Sequence, residues 1–330
     1  MLIEEIDPVD DAALEAFHAH EVRVAATRPY GTTWTLPELV VAARTDDPWN
    51  ARTLLWARRD DGTVLATGML EAPLRDNTDA AWIDVATLPE HRDVLGPVLE
   101  HVKDRVRALG RRTLESVAKW APGDEEGPEA EILRVHGFRL GLVEAQRVLD
   151  LPTDREHLER LADDAAVHHS AYALRTWRGP APDEVLAEYA AMRAVMAVEA
   201  PSGDMGWEAE DFPPERVRTE EAELAAQRRT PWTTVAVADD GTLAGHSQII
   251  VPATDIENAY QWDTLVLREH RGHRLGLAMK ARNLLAAADD LVPRSLLHTW
   301  NATENGPMVA VNETIGFRLA AMTGEFRCDL

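Results

Sequence analysis

The sequence predicts a mixed α/β (α+β) fold built from two tandem copies of one domain, each a mostly antiparallel, twisted mixed sheet flanked by helices. Three observations predict it. Short apolar or alternating runs give way to runs of helical spacing and back again along all 330 residues. The tripeptides Asp60-Asp61-Gly62 and Asp239-Asp240-Gly241 mark tight hairpins at matching points of the two halves. Two stretches also repeat residue by residue. Residues 82–92 match 262–271, with Asp84 on Asp263, His91 on His270 and Arg92 on Arg271 after a one-residue slip of the tryptophan; Arg134-Val-His-Gly-Phe-Arg139 matches Glu313-Thr-Ile-Gly-Phe-Arg318. The division that follows is a first domain over 1–152, a connecting helix over 153–170 and a second domain over 171–330.

In order, residues 1–7 read as a strand and 10–28 as an amphipathic helix with Leu14, Phe17 and Val22 on one side. A loop with Pro29, Gly31 and Trp34 leads to a short helix over 36–43. Strands over 52–58 and 63–70 flank the first hairpin, and 80–87 is another strand. Val98, Val102, Val106 and Leu109 give 94–109 helical spacing, which Gly110 ends. A strand over 113–120, an acidic loop, a short helix over 129–135 and a strand reaching Leu151 complete the first half. After the helix over 153–167 the order begins again: strand 172–177, helix 182–198, a loop over 201–214 with two glycines, and a charged helix over 215–228. The second hairpin joins 233–237 to 245–251, followed by strand 259–267, helix 275–288, strand 295–300, helix 305–315 and a last strand over 317–328.

Composition narrows the function. A hydrophobic content of 45% suits a globular chain, and no apolar run approaches the roughly 20 residues of a membrane helix. The first residues, Met-Leu-Ile-Glu-Glu-Ile-Asp, lack a basic and then apolar layout, so a cytoplasmic protein is expected. Cys328 is the one cysteine, which excludes an internal disulfide and a cysteine-based zinc site, and His168-His169 is too isolated to read as a metal site. A net charge of −23 argues against nucleic acid or an anionic membrane as partner and suits a cationic small molecule or amine, although the same charge also serves solubility. Monomer and homodimer both remain open.

The stretch 260–277, Tyr-Gln-Trp-Asp-Thr-Leu-Val-Leu-Arg-Glu-His-Arg-Gly-His-Arg-Leu-Gly-Leu, runs from a strand through a basic, glycine-containing turn into a helix. That arrangement presents backbone N–H groups and the positive end of a helix to an anionic group, typically a phosphate. With Leu265-Val266-Leu267 before the turn, Arg271-Gly272-His273-Arg274-Leu275-Gly276 in it, and Trp300-Asn-Ala-Thr-Glu-Asn305, Met308, Asn312 and Gly316-Phe317-Arg318 after it, the second half resembles the GCN5-related N-acetyltransferase family. The resemblance covers about 170–330 directly and the first half through the repeat, so the whole resembles the tandem, two-domain actinobacterial type.

The resemblance implies acetyl-CoA as cofactor, with the backbone from Arg271 through Gly272, His273, Arg274, Leu275, Gly276 and Leu277 holding its pyrophosphate. Main-chain groups of Leu265 and Val266 would pair with the pantetheine arm like an added strand, Asn305 would face that arm, and the Val266 N–H would meet the oxyanion. Arg274 stands where the family has a glycine. In the first half the matching turn, 91–97, is one residue shorter and carries Asp93 and Pro97, which oppose an anion and remove a donor, so this half reads as a degenerate copy.

Acetyl transfer needs a neutral amine, a route for its proton and donors for developing negative charge. Asp263 is the candidate general base or amine-orienting group, with a purely local tie as its other reading. Asn312 occupies the position of the family's tyrosine acid and could hydrogen-bond the leaving sulfur or hold a water. His298, on the preceding strand, is a candidate for titration near neutrality, or else a packed residue. Glu199, Asp204 and Glu208 are placed to attract a cationic acceptor and Trp207 to stack on it. The function expected is acetyl-CoA-dependent N-acetylation of a small amine by direct transfer. The alternatives are a mycothiol-synthase-like acetyltransferase and an acyl-CoA-binding sensor without turnover.

Overall fold

Both Asp-Asp-Gly tripeptides form hairpin tips, and Gly62 and Gly241 take φ of +88° and +91° there, a conformation that a side chain disfavours. The computed structural model describes residues 1–330, the side chain of Ala197 excepted. The elements of the first half are β1 (Leu2–Glu5), α1 (Asp11–Ala25), α2 (Leu36–Arg44), β2 (Asn50–Arg58), β3 (Val64–Pro73), β4 (Ala80–Thr87), α3 (Leu95–Ala108), β5 (Thr113–Trp120), α4 (Pro128–Val135) and β6 (Arg139–Asp150). Then come α5 (Arg155–Ala166), β7 (Tyr172–Arg178), α6 (Asp183–Ala194), α7 (Met196–Glu199), α8 (Pro214–Ala226), β8 (Arg229–Ala238), β9 (Leu243–Pro252) and β10 (Asn258–Val266). The chain closes with α9 (Leu275–Ala286), α10 (Ala288–Leu291), β11 (Leu296–Ala302), α11 (Gly306–Ile315) and β12 (Arg318–Asp329).

Two compact units result, and neither is one continuous stretch. The first holds 1–145, 202–208 and 320–330; the second holds 146–201 and 209–319. The helix read from sequence as a connector, α5, belongs to the second unit, where Leu158 and Ala165 enter a core with Leu284, Ile315 and Phe317. From Ala320 onward β12 belongs to the first unit. There it lies antiparallel to β5 from Met322 opposite Trp120 to Asp329 opposite Thr113. Phe326 and Cys328 thereby enter a core with Val98, Leu99, Leu114 and Phe138. Phe326→Ala should therefore cost the first unit about 3–5 kcal/mol, read as a lower urea midpoint of that unit's unfolding.

The strand order is β1-β2-β3-β4-β5-β12 in the first unit and, with β6 counted from Gln146 onward, β6-β11-β10-β9-β8-β7 in the second. The pairs β1–β2, β2–β3, β3–β4, β5–β12, β7–β8, β8–β9 and β9–β10 are antiparallel, whereas β4–β5 in the first unit and β10–β11 in the second are parallel. These pairs matter because they stop early. β10 and β11 are in register from Asn258 opposite Leu296 to Tyr260 opposite His298, yet β10 runs on to Val266 and β11 to Ala302. Beyond Tyr260 the edge of β10 toward β11 is thus an unpaired strand edge, the kind of surface that an extended ligand can join.

Candidate active site

The basic turn forms as a short 3-10 stretch, Arg268–His270, then Arg271 in extended conformation, Gly272 at φ +88°, and Arg274 at φ +53° as the residue before α9. A glycine would take the Arg274 conformation without strain, so the arginine there holds a conformation costing about 1–2 kcal/mol. No side chain caps α9. Among the described residues, the first internal bond of this helix runs from Ala278 N to Arg274 O, and the amides of 272–277 donate to no backbone or side-chain acceptor. A Cβ on Gly272 would meet nothing within 4 Å, so the approach to these amides is open. The turn itself is well anchored. Tyr172 Oη and His270 Nδ1 are 3.0 Å apart, the Tyr172 ring packs on His273, and Arg271 reaches the Val266 carbonyl (3.1 Å) and Glu199 (2.6 Å).

Strand β10 carries a bulge. Gln261 lies opposite Ile249 and Thr264 opposite Ser247, so Trp262 and Asp263 together face Gln248 alone. The Gln261 carboxamide, buried behind the bulge, donates to the carbonyls of Gln248 (2.7 Å) and Trp262 (3.1 Å) and holds the distortion in place. After the bulge, Leu267 N donates to Ala244 O, which makes 267–244 a hydrogen-bonded pair. By antiparallel alternation Leu265 bonds back to His246, whereas Val266 turns its N–H toward the unpaired edge. Of the two residues expected to offer main-chain groups to the cofactor arm, Val266 is so placed; Leu265 is committed to the sheet and buries its side chain.

Asp263, at the bulge, keeps about a third of its side chain exposed (35%), and its Oδ2 lies 3.8 Å from Arg193 Nη2. Arg193 donates to Glu220 (2.5 Å) and stacks over Phe212. Beside this group stand His246 and Tyr189, with ring centroids 5.5 Å apart, edge to face. Both ring nitrogens of His246 and the Tyr189 hydroxyl are buried without a hydrogen-bond partner, at on the order of 1–3 kcal/mol each. Burial pushes the imidazole down to about 4 against the pull of Asp263, and pushes the phenol up to about 12, so both are neutral at physiological pH. Sequence reading missed Arg193, Tyr189, His246 and Gln261. The one local signal was the slip of the tryptophan against the aspartate between the two repeats, which falls at the bulge.

Other sequence candidates take different places. Asn312 is fully buried in α11, where its Oδ1 accepts from Lys280 Nζ (2.6 Å) and its Nδ2 donates to Asn301 Oδ1 (3.1 Å). Both ends of the amide serve the interior. His298 is no group titrating near neutrality: its Nδ1 accepts from Gln146 (3.1 Å), its Nε2–H donates to Asn258 (2.8 Å), and burial pushes it down to about 4. It stacks with Tyr260 and Trp300, the packed alternative. Asn305 caps α11 by accepting from Met308 N (3.3 Å), so its oxygen is turned to its own helix. Glu199 pairs with Arg271 and, at 3.5 Å, with Arg268; it fixes the turn in place of drawing an acceptor. Asp204 and Trp207 belong to the first unit, where Asp204 N donates to Gly141 O and the Trp207 indole to Glu115 (3.0 Å). In the same segment Glu208 N donates to Asn77. Among the described residues no group of His, Cys, Asp or Glu is placed to hold a metal, and no helix is long and apolar enough to cross a membrane.

Lys280 gives a pH test. It is 1% exposed, and burial pushes its amine from 10.5 down to about 7. Unfolding takes up a proton between those values, so the group costs stability below pH 7 and the cost fades as pH rises toward 10.5. Urea unfolding should therefore show stability rising between pH 7 and about 9 in the natural protein and a flatter profile in Lys280→Met.

The matching place in the first unit is closed. The 3-10 stretch Pro89–Val94 runs straight into α3, with Leu95 N bonded to Arg92 O, and Pro97 lacks a donor. A Cβ on Gly96 would lie 2.5 Å from His136 Nε2, so the helix start is covered. β4 keeps unbroken register with β3 through Asp84, and Lys119 on β5 bonds Asp84 (2.8 Å) beyond the last β4–β5 pair. Thr67, the residue matching His246, donates to Glu21 on α1.

No family model and no curated protein matches the sequence. Solved structures do match. A tandem GNAT protein from the clavulanic acid biosynthesis pathway aligns over 99% of this chain and 98% of its own, with 25% identity and a TM-score of 0.80. The chain has the fold of the tandem GCN5-related N-acetyltransferases. A GCN5-related N-acetyltransferase from Sphaerobacter thermophilus shares the fold at 14% identity and a TM-score of 0.65, over 99% of this chain and 95% of its own. The GCN5-related fold supports acyl transfer in general, and the family it defines uses acetyl-CoA. The residues here fit that group: uncapped amides at the start of α9, a turn with open approach, and a strand edge that offers the Val266 N–H.

Proposed function

We propose that the chain is an acetyl-CoA-dependent N-acetyltransferase that acetylates a small-molecule amine by direct transfer, with its one cofactor site in the second unit. The observation that carries this reading is the convergence, on the last turn of β10, of an unpaired edge, a bulge bearing Asp263 and the open amides of 272–277. Those amides and Arg274 hold the pyrophosphate, and Val266 pairs with the pantetheine arm and directs its N–H at the acyl oxygen. Acetyl-CoA, when bound, supplies an acyl group activated as a thioester. Asp263, partly exposed beside the bulge, orients the incoming amine and receives its proton directly or through one water. A small-molecule acceptor also agrees with the pathway of the tandem relative. A thiol-release assay with acetyl-CoA over a set of small amines tests the reading. Turnover of at least one amine is expected; tight acetyl-CoA binding with no turnover of any would leave a sensor in its place.

A further inference from the structure

The two repeats handle one position in opposite ways. Thr67 in the first unit and His246 in the second sit opposite matching residues of the next strand, Ala86 and Leu265. In the first unit the hydroxyl is spent on Glu21, and Asp84 is spent on Lys119. Both of these groups are thereby paired within the first unit. In the second unit His246 is 1% exposed and Tyr189 2%, and neither the two ring nitrogens nor the hydroxyl has a hydrogen-bond partner. Val235, His246 and Leu265 are directly opposite one another across β8, β9 and β10, so they share the sheet face that α6 covers and that Tyr189 enters. Asp263 and Arg193 are near enough to act electrostatically on the imidazole.

We propose that Tyr189 Oη and the His246 imidazole form a neutral polar subsite that receives a hydroxyl group carried by the acceptor amine, beside Asp263. The chemistry of the pair selects that group. A neutral imidazole has one N–H donor and one lone-pair acceptor, and a phenol both donates and accepts, so a group that does both satisfies them. An ammonium would face the Arg193 guanidinium, and a carboxylate would add charge next to Asp263 and Glu220. The acceptor class is therefore an amino alcohol, its amine at Asp263 and its hydroxyl at Tyr189 and His246. Leaving buried polar groups unpaired in the free protein is how a site built for a polar substrate rejects an analogue lacking that polar group.

This inference rests on the acetyl-transfer reading, and two measurements separate their failures. The first compares kcat/KM for matched probes, ethanolamine with ethylamine and 2-aminocyclohexanol with cyclohexylamine, in the natural protein and in Tyr189→Phe. A preference of about tenfold or more for the hydroxylated partner is expected, falling to about unity in the variant. An equal preference in both proteins overturns the subsite. The second is the melting temperature of Tyr189→Phe without ligand. It should hold or rise, because the variant removes an unpaired hydroxyl and keeps the ring; a fall of about 4 °C or more would show that the hydroxyl is satisfied within the free protein and would overturn the subsite as well. If acetyl-CoA binds and no probe is turned over, the transfer reading fails, and the melting result alone decides the subsite.

Discussion

Gly276→Trp should abolish acetyl-CoA binding while leaving the protein folded. Gly276 is the second residue of α9, and a Cβ built on it would meet only Val266 Cγ2, at 3.9 Å, so the backbone has room for a side chain in the free protein. Its φ is not positive, and replacing a helical glycine favours the helix by up to about 1 kcal/mol. The indole would project from the first turn of α9 over the amides that a pyrophosphate needs. Those amides, the helix end and Arg274 make up the proposed anion site, because the other arginine of the turn, Arg271, already pairs with Glu199. Calorimetry on the natural protein is expected to give one acetyl-CoA site per chain. The variant should lose at least about a hundredfold in affinity, or roughly 2.7 kcal/mol, with its melting temperature within about 2 °C of the parent. Two equal sites in the natural protein would mean that the first unit also binds, against the covered start of α3 and the bridge from Lys119 to Asp84.

How far such a site can be read before the structure is known depends on the range of the interaction that makes it. The turn was legible because everything that makes it is local: a strand, a glycine with positive φ, and a helix that starts with no Ser, Thr, Asp or Asn to cap it. The hairpins and the repeat were legible for the same reason, and boundaries such as Ala80–Thr87 and Thr113–Trp120 fall where the apolar runs fall. What was not legible is set by partners far apart in the chain. Glu199 looks like a free acid until Arg271 is folded against it, and Asn312 looks like a hydrogen-bond partner for the leaving sulfur until Lys280 and Asn301 claim both ends of its amide. His298 has the composition of a catalytic residue and the environment of a packed one. His246, by contrast, hides in an apolar strand, Leu243-Ala-Gly-His-Ser-Gln-Ile249, where alternation reads it as one more core position. The membership of β12 in the first unit could not be read from pattern, because its alternation marks a strand without saying which sheet it joins.

Asp263→Asn carries the second large expectation, a loss of rate without loss of cofactor affinity. The carboxylate is the partly exposed acid at the bulge, and it sits 3.8 Å from Arg193, a longer approach than the 2.5 Å between Arg193 and Glu220. Arg193 therefore retains its main partner when Asp263 is neutralised, and the fold should survive with a change within about 1 kcal/mol, the range of a partly exposed pair. For an amine that the natural protein acetylates, kcat/KM should fall by about a hundredfold or more, the scale of a lost proton acceptor, while calorimetry returns the same acetyl-CoA affinity. The repeat supplies the competing outcome. Asp84 holds the same position in the first unit, bonded to Lys119, so an aspartate here can serve the fold alone. The two units differ in what surrounds it, not in exposure, since both carboxylates are about a third exposed (36% and 35%). Asp84 lies on a strand with unbroken register and a lysine on its carboxylate, whereas Asp263 lies on a bulge with no lysine on it, 3.8 Å from Arg193 and within electrostatic reach of His246. If Asp263→Asn keeps its rate and its pH profile and loses only stability, the aspartate is a tie between β10 and Arg193, and the proton leaves through another group. A lowered rate with unchanged cofactor affinity and unchanged melting would instead assign the bulge its purpose, which is to move one carboxylate from the sheet into the path of the amine.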